Sequence, residues 1–284
     1  MPKISSPVIL NLIQNLKADL YMQSQFPLHN RTFCQTLNQV QGDGIIIIQK
    51  GGALMRWVIG YIIAICFTLI IISQSIIFPT FFMPFYTWQY NRLEVAATIN
   101  IEKDELMRVT EELLDYMRGA RPSLEDIYAT VAGEERRFFS DIEIRHMIDV
   151  LDLYNIAFMV RNVAIWAIIG LILIMALLKY PIMQTICRCV REVLTVFLVL
   201  SAILVGLIAI NFNHAFNIFH HIFFNNDYWI LDPRVDLLIN MVPLSFFVHI
   251  SIFIGLLILL KSGLVIAGAS IYLHRNKPKT FLTL

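Results

Sequence analysis

The sequence predicts a mainly α-helical membrane protein: a bundle of four transmembrane helices under a small extracytoplasmic helical cap, with room in the cap for a short hairpin. Three observations carry this. First, 57% of the 284 residues are hydrophobic and only 15% are charged, whereas soluble domains carry about 25% charged residues. Second, the apolar excess falls in four blocks, the pattern expected of spans through a hydrocarbon core of about 30 Å. Third, the longest segment between blocks has helical periodicity with capping signals, so it reads as folded structure and not as a tether. A net charge of +1 supplies no basic field, so no nucleic-acid partner is expected.

Residues 1–54 stand apart from the rest. They are rich in Asn, Gln and Ser, and GDG at 42–44 and GG at 51–52 punctuate them. Ile45–Ile48 is too short to span. Met55 precedes Arg56 and a long uncharged run, so this segment reads as a leader, either a mis-start or a poorly ordered tail, with the membrane domain at 55–284.

The first span covers Trp57–Pro79 and carries no charged residue. It is longer than the roughly 7–15 apolar residues of a signal peptide, and no small-residue cleavage site follows, so it reads as a retained anchor. The outer loop 80–162 comes next. Ile101–Arg118 has Leu106, Val109, Leu113, Tyr116 and Met117 at helical spacing, with Asn100 as N-cap and Gly119 as the stop. Arg121-Pro122 enforces a break. Ile127–Val131 and Arg136–Phe139 flank a glycine-containing turn that suits a hairpin. Ser140-Asp141-Ile142-Glu143 reads as a capping box, and the helix behind it places Ile142, Met147, Val150 and Tyr154 on one face.

The second span, 163–178, is short unless its helix begins near Tyr154 with Arg161 snorkelling. The third is Val193–Ile210. The fourth runs from 244 to about 273 and contains Lys261, whose distance from Pro243 places it near the far interface. Arg56, Lys179, Arg188, Arg191, Arg275, Lys277 and Lys279 fall on one side, while the short loop 211–243 offers only Arg234. Both termini are therefore expected in the cytoplasm, with loops 80–162 and 211–243 outside.

Two histidine clusters fall in those outer loops. On the capped helix, Glu143, His146 and Asp149 lie three residues apart, so neighbours can meet. Spacing alone favours a solvated charged face. The second cluster, expected on the same side of the membrane, shifts the balance. There Phe216, Phe219, Phe223 and Phe224 alternate with His220 and His221, giving a short aromatic helix at the interface with Trp229 as anchor. Asn225-Asn226-Asp227 ends it, and Asp232-Pro233 suits the start of a further turn. The plainer alternative is an interfacial helix whose histidines tolerate the headgroup zone.

Of the other histidines, His249 sits inside span four and suits a bond within the bundle. His274 belongs to the basic tail, His214 suits a cap, and His29 lies in the leader. Cys34, Cys66, Cys187 and Cys189 form no disulfide framework, and Cys187-Arg-Cys189 is incidental. No GxSxG, HExxH, P-loop or Rossmann glycine pattern occurs, and no cysteine lies in the outer loops. If the chain is an enzyme, the surviving chemistry is histidine general acid–base catalysis or a metal site.

FFSDIEIRHMIDV at 138–150 and FNIFHHIFFNNDYWILDP at 216–233 resemble the two signatures of a four-span bacterial family, the lipoprotein intramolecular transacylases. The resemblance covers roughly residues 55–280. It implies an enzyme that moves the sn-2 acyl chain of a diacylglyceryl-modified lipoprotein to the α-amine of that lipoprotein's N-terminal cysteine. It also implies that His146 and His220 are catalytic, and it leaves open the roles of His221 and the neighbouring acids. On this reading Glu143, Asp149, His221, Asp227 and Trp229 are supporting residues, and no metal or other cofactor is needed. The partners are the lipoprotein and membrane lipid. Two alternatives stay open: an outward-facing metalloenzyme using His146, Glu143, His220 and Asp227, and a non-catalytic membrane partner or carrier subunit.

Overall fold

The computed structural model describes the backbone of residues 31–276 and the side chains of residues 52–276. The expectations for residues 1–30, including His29, for the Cys34 side chain, and for Lys277 and Lys279 lie outside the described residues. The chain divides into two compact units, Met1–Arg56 and Trp57–Leu284. The packing contacts and the site described below lie in the second.

The elements run α1 (Arg31–Thr80), α2 (Met83–Arg92), α3 (Val95–Ile99), α4 (Lys103–Met117), β1 (Tyr128–Val131), β2 (Glu134–Arg137), α5 (Asp141–Leu177), α6 (Ile182–Ile210), α7 (Phe212–Phe223), α8 (Leu238–Met241) and α9 (Leu244–Arg275). Four stretches are long and apolar enough to cross a membrane: Gly52–Thr80 of α1, then α5, α6 and α9. Their lipid-facing sides are expected to be apolar. Trp166 is 72% exposed, Leu177 73% and Ile210 80%.

Between the spans, contact is made by small residues and interlocking apolar side chains. A Cβ on Gly60 would lie 2.8 Å from Cys189 Sγ and 2.8 Å from Thr185 Cγ2, so α1 and α6 meet where only a glycine fits. Ala64 and Ile71 then pack on Cys189, Val190 and Leu194, with Val265 and Ile266 of α9 alongside. Ile59 and Ile63 pack on Met175 of α5.

The cap, formed by residues 81–140 with α8 and the loop before it, has a core of its own. Phe85, Tyr86, Leu106, Val109, Leu113, Leu124, Ile127, Phe138, Phe139, Met147, Met241 and Phe246 are buried together. The antiparallel pair β1–β2 is in register Tyr128↔Arg137 to Val131↔Glu134. Its two-residue turn, Ala132-Gly133, has both residues at positive φ (55° and 85°), the hand that matches strand twist. Gly119 follows α4 at φ 77°, as a glycine at C′ should.

Five expectations need correction. Asn100 does not start α4. It ends α3 in the left-handed region (φ 61°), which asparagine tolerates, and Glu102 is the N-cap residue. Ile142 is 36% exposed, and the buried face of α5 begins instead with Glu143, Ile144 and Met147. The capped helix and the second span are one unbroken helix of 37 residues, because nothing between Tyr154 and Val163 breaks it. The third helix starts at Ile182, ahead of its purely apolar part. Lys261 does not reach for the far interface, since its Nζ donates to Ser75 Oγ at 3.2 Å. Side chains on a helix lean towards its N-terminus, so this stem climbs back into the bundle.

Candidate active site

The site is assembled where the start of α5 meets α7 and the loop after it. The capping box fixes α5. Ser140 Oγ accepts from the Glu143 N–H, and Glu143 Oε2 accepts from the Ser140 N–H at 2.6 Å. The same carboxylate reaches across the chain, where Oε1 accepts from the Leu238 N–H. Asp236, 5% exposed, completes the clasp. It accepts from Ser140 Oγ at 2.9 Å and from the Asp232 N–H at 2.8 Å. Two buried carboxylates thus tie the loop 224–241 to the first turn of α5. Each is satisfied by donors, as burial requires.

Glu143 is therefore not turned towards His146. It is completely buried, and backbone N–H groups occupy both of its oxygens. Asp149 is also engaged elsewhere, with Oδ2 accepting from Asn226 Nδ2 at 2.9 Å. Asn226 in turn accepts from the Tyr228 N–H at 3.0 Å. These bonds fold the loop back over α5. Asp227 is exposed. Asp232 is paired with Arg234 and opens the turn that follows, through its carbonyl.

The turn-by-turn aromatic pattern forms α7, whose N-cap is Asn211. Its side chain accepts from the His214 N–H at 3.0 Å, so His214 is capped and does not itself cap. His220 is 6% exposed and enclosed by rings. Phe216 lies at 4.2 Å between centroids, Trp229 at 4.7 Å in a stack, Phe219 at 5.4 Å and Phe224 at 5.5 Å. His220 Nδ1 lies 2.7 Å from the Phe216 carbonyl oxygen. A carbonyl can only accept, so Nδ1 carries the proton and Nε2 of the neutral ring offers a lone pair. Burial holds the His220 pKa below the ordinary imidazole value, against the pull of the Phe216 carbonyl and with the help of the neighbouring His221.

His146 faces His220 with ring centroids 6.0 Å apart, and packs edge-on against Phe224 at 5.3 Å. Its Nδ1 is buried and has no partner. The Trp229 indole Nε1 is likewise buried without a partner. His221 is exposed and touches Trp229 edge-on at 5.1 Å. Trp229 is thus a wall of the imidazole pocket rather than only an anchor. Outside the pocket, Arg145 lies over the Tyr228 ring at 5.5 Å.

Sequence reasoning missed Asp236 as a builder of this site and read Asn226 only as the end of the aromatic helix. Asp236 carries no motif of its own; its meaning comes from Ser140, 96 positions away. His249 sits in the bundle as expected, its Nδ1 3.0 Å from Gln89 Oε1. Among the described residues no three His, Cys, Asp or Glu side chains are grouped so as to hold a metal ion. Glu143, needed by the metalloenzyme alternative, is committed to the Ser140 and Leu238 N–H groups.

The arrangement can exchange protons between two imidazoles inside an aromatic, water-poor pocket at the join of cap and spans. Comparison with known proteins gives it a family. The family model for the lipoprotein intramolecular transacylase Lit matches residues 61–247, a stretch that contains both histidines. Among curated proteins none matches. Among solved structures, the chain resembles the membrane integral lipoprotein intramolecular transacylase Lit from Bacillus cereus, determined in meso. The TM-score is 0.65 at 23% identity, covering 79% of this chain and 98% of that one. Two variants of the same protein with a histidine replaced also match. The alanine variant gives TM-score 0.60 at 21% identity over 78% of this chain and 96% of that one. The arginine variant gives 0.59 at 21% identity over 83% and 97%. At these identities the solved structures establish the fold, a four-helix membrane bundle with a small cap; the family model, covering most of the chain, goes further: this chain belongs to the lipoprotein intramolecular transacylase family.

Proposed function

We propose that this chain transfers the sn-2 acyl chain of a diacylglyceryl-modified lipoprotein to the α-amine of that lipoprotein's N-terminal cysteine, by histidine general acid–base catalysis at the outer face of the cytoplasmic membrane. The observation that carries this is the meeting of His146 and His220, 74 positions apart in sequence, with ring centroids 6.0 Å apart. The substrate brings its own nucleophile, an amine with an ordinary pKa of about 8. The protein therefore needs no serine or cysteine. It needs a base for the amine proton, an acid for the leaving glyceryl oxygen, and a donor for the tetrahedral intermediate.

His220 suits the base. Its Nδ1–H is committed to the Phe216 carbonyl, and burial keeps it neutral, so Nε2 is the free acceptor. His146 serves as acid or oxyanion donor. Holding ester and amine together in a closed aromatic pocket supplies several kcal/mol of the barrier. The outer-face location rests on the basic residues gathered at the opposite ends of the spans, among them Lys179, Arg188 and Arg191. Lipid chains stay in the bilayer there while the cysteine amine sits at its surface. The test is lipoprotein mass analysis with purified protein and a diacylglyceryl lipopeptide. Acyl transfer should occur without added cofactor and be lost in His146→Ala and His220→Ala. Full transfer by both variants would refute the assignment.

A further inference from the structure

The buried Nε1–H of Trp229 has no acceptor, although it lies beside an imidazole that has found one. An indole nitrogen can only donate. Leaving such a donor buried and unmet costs on the order of 1–3 kcal/mol, and native structures seldom carry that cost without a purpose. Trp229 is not loosely placed. Its ring stacks on His220 at 4.7 Å with 29° between planes, and meets His221 at 5.1 Å. The loop that carries it is held by Asn226 on Asp149 and by Asp236 on Ser140. The donor is therefore fixed before any ligand arrives, which makes it useful to a transition state. A second orphan, His146 Nδ1, belongs to the imidazole that faces His220.

Resting on the acyl-transfer reading above, we propose that Trp229 is a further catalytic residue, whose indole N–H donates to the carbonyl oxygen of the migrating ester and holds it as an oxyanion. The amine nitrogen attacks the ester carbon, the N–C bond forms, and the carbonyl electron pair moves to oxygen, where the indole meets it. The pair returns, the bond from carbon to the glyceryl oxygen breaks, and the amine proton passes through imidazole to that oxygen. Nothing is oxidised and no co-reactant enters. With the oxyanion held by Trp229, His146 is free to be the acid.

The experiment compares parent protein, Trp229→Phe and His220→Ala in detergent micelles with a synthetic diacylglyceryl lipopeptide, reading kcat, KM and thermal midpoint. Trp229→Phe keeps a stacking ring and removes the donor. The expected result is a kcat lower by about 10²-fold or more, with KM little changed and the midpoint unchanged or higher. A purely structural tryptophan would lower the midpoint and leave the kcat of the folded fraction alone, which would overturn the inference. Should Trp229→Phe fold poorly, a 3-benzothienylalanine at position 229 keeps the bicyclic shape without N–H, and the same loss of kcat is required of it. If His220→Ala is inactive while the donor-less variants keep parental kcat, the role of Trp229 alone is wrong. If the parent itself transfers no acyl chain, the underlying reading falls with it.

Discussion

The cap and the spans solve opposite problems with the same residue types. Phe138 in the cap is completely buried, while Trp166 in α5 is 72% exposed, although 28 positions of one chain separate them and both are large aromatics. The cap is surrounded by water, so it must close its apolar side chains into a core of its own. The spans are expected to have lipid around them, so packing there is confined to seams such as Gly60 on Cys189. Hydrophobic residues therefore report burial in the cap and only membrane exposure in the spans. The imidazole pocket lies where the two regimes meet and takes something from each: a polar clasp from the cap and an aromatic enclosure from the interface.

The sharpest test separates that join from both regions. His220→Ala should lower the rate of acyl transfer by about 10²–10⁴-fold and leave the fold intact, measured by single-turnover mass analysis beside a circular dichroism melt. Next comes the cap core. Phe138→Ala empties a fully buried site and should cost about 3–5 kcal/mol, seen as earlier loss of the cap in hydrogen exchange while span helicity persists. Glu143→Gln places a donor against backbone donors at Ser140 and Leu238 and should cost about 1–3 kcal/mol. Activity should fall with stability because the clasp loosens.

A pH profile refines the boundary further. The His220 pKa is depressed by burial, so its neutral, basic form persists below about pH 6.5 and is lost only as pH falls through the lower native value. The acid limb of kcat/KM belonging to His220 should therefore lie below that of free imidazole. Stability carries the same sign: the unfolded chain binds a proton first on acidification, so folding weakens as pH drops through this window. At the small end, Trp166→Ala on the lipid side should change the melting free energy in micelles by no more than about 0.5 kcal/mol.

Much of the layout was legible because it rests on local rules. Four apolar blocks, the Ser140–Glu143 capping box, the glycine after α4 and the hairpin around Gly133 each depend on a few neighbouring residues. The errors share a different cause. Asn100 suits an N-cap and a left-handed C-cap equally well, and only the packing of α3 against α2 and α8 decides. Lys261 was placed by counting residues from Pro243, but the lean of its stem and the hydroxyl of Ser75 on another helix set its direction. In the site, the two histidine segments stood out through their aromatic and capping patterns. The orientation of Glu143 did not, because its second partner, the Leu238 N–H, lies 95 positions away. Asp236 and the unmet Trp229 donor were invisible for the same reason: a long-range partner, or the lack of one, leaves no trace in spacing.

The unbroken course of α5 from Asp141 to Leu177 has a mechanical result. His146 stands near one tip, and from there to Leu177 the rod is about 45 Å long at 1.5 Å per residue. Pivoting it by five degrees about the inner tip swings the imidazole sideways by about 4 Å, set against 6.0 Å between the two imidazole centroids. Bilayer thickness is one of the forces that set helix tilt, so a change in the tilt of α5 would carry His146 together with the loop that Glu143 and Asp149 tie to it.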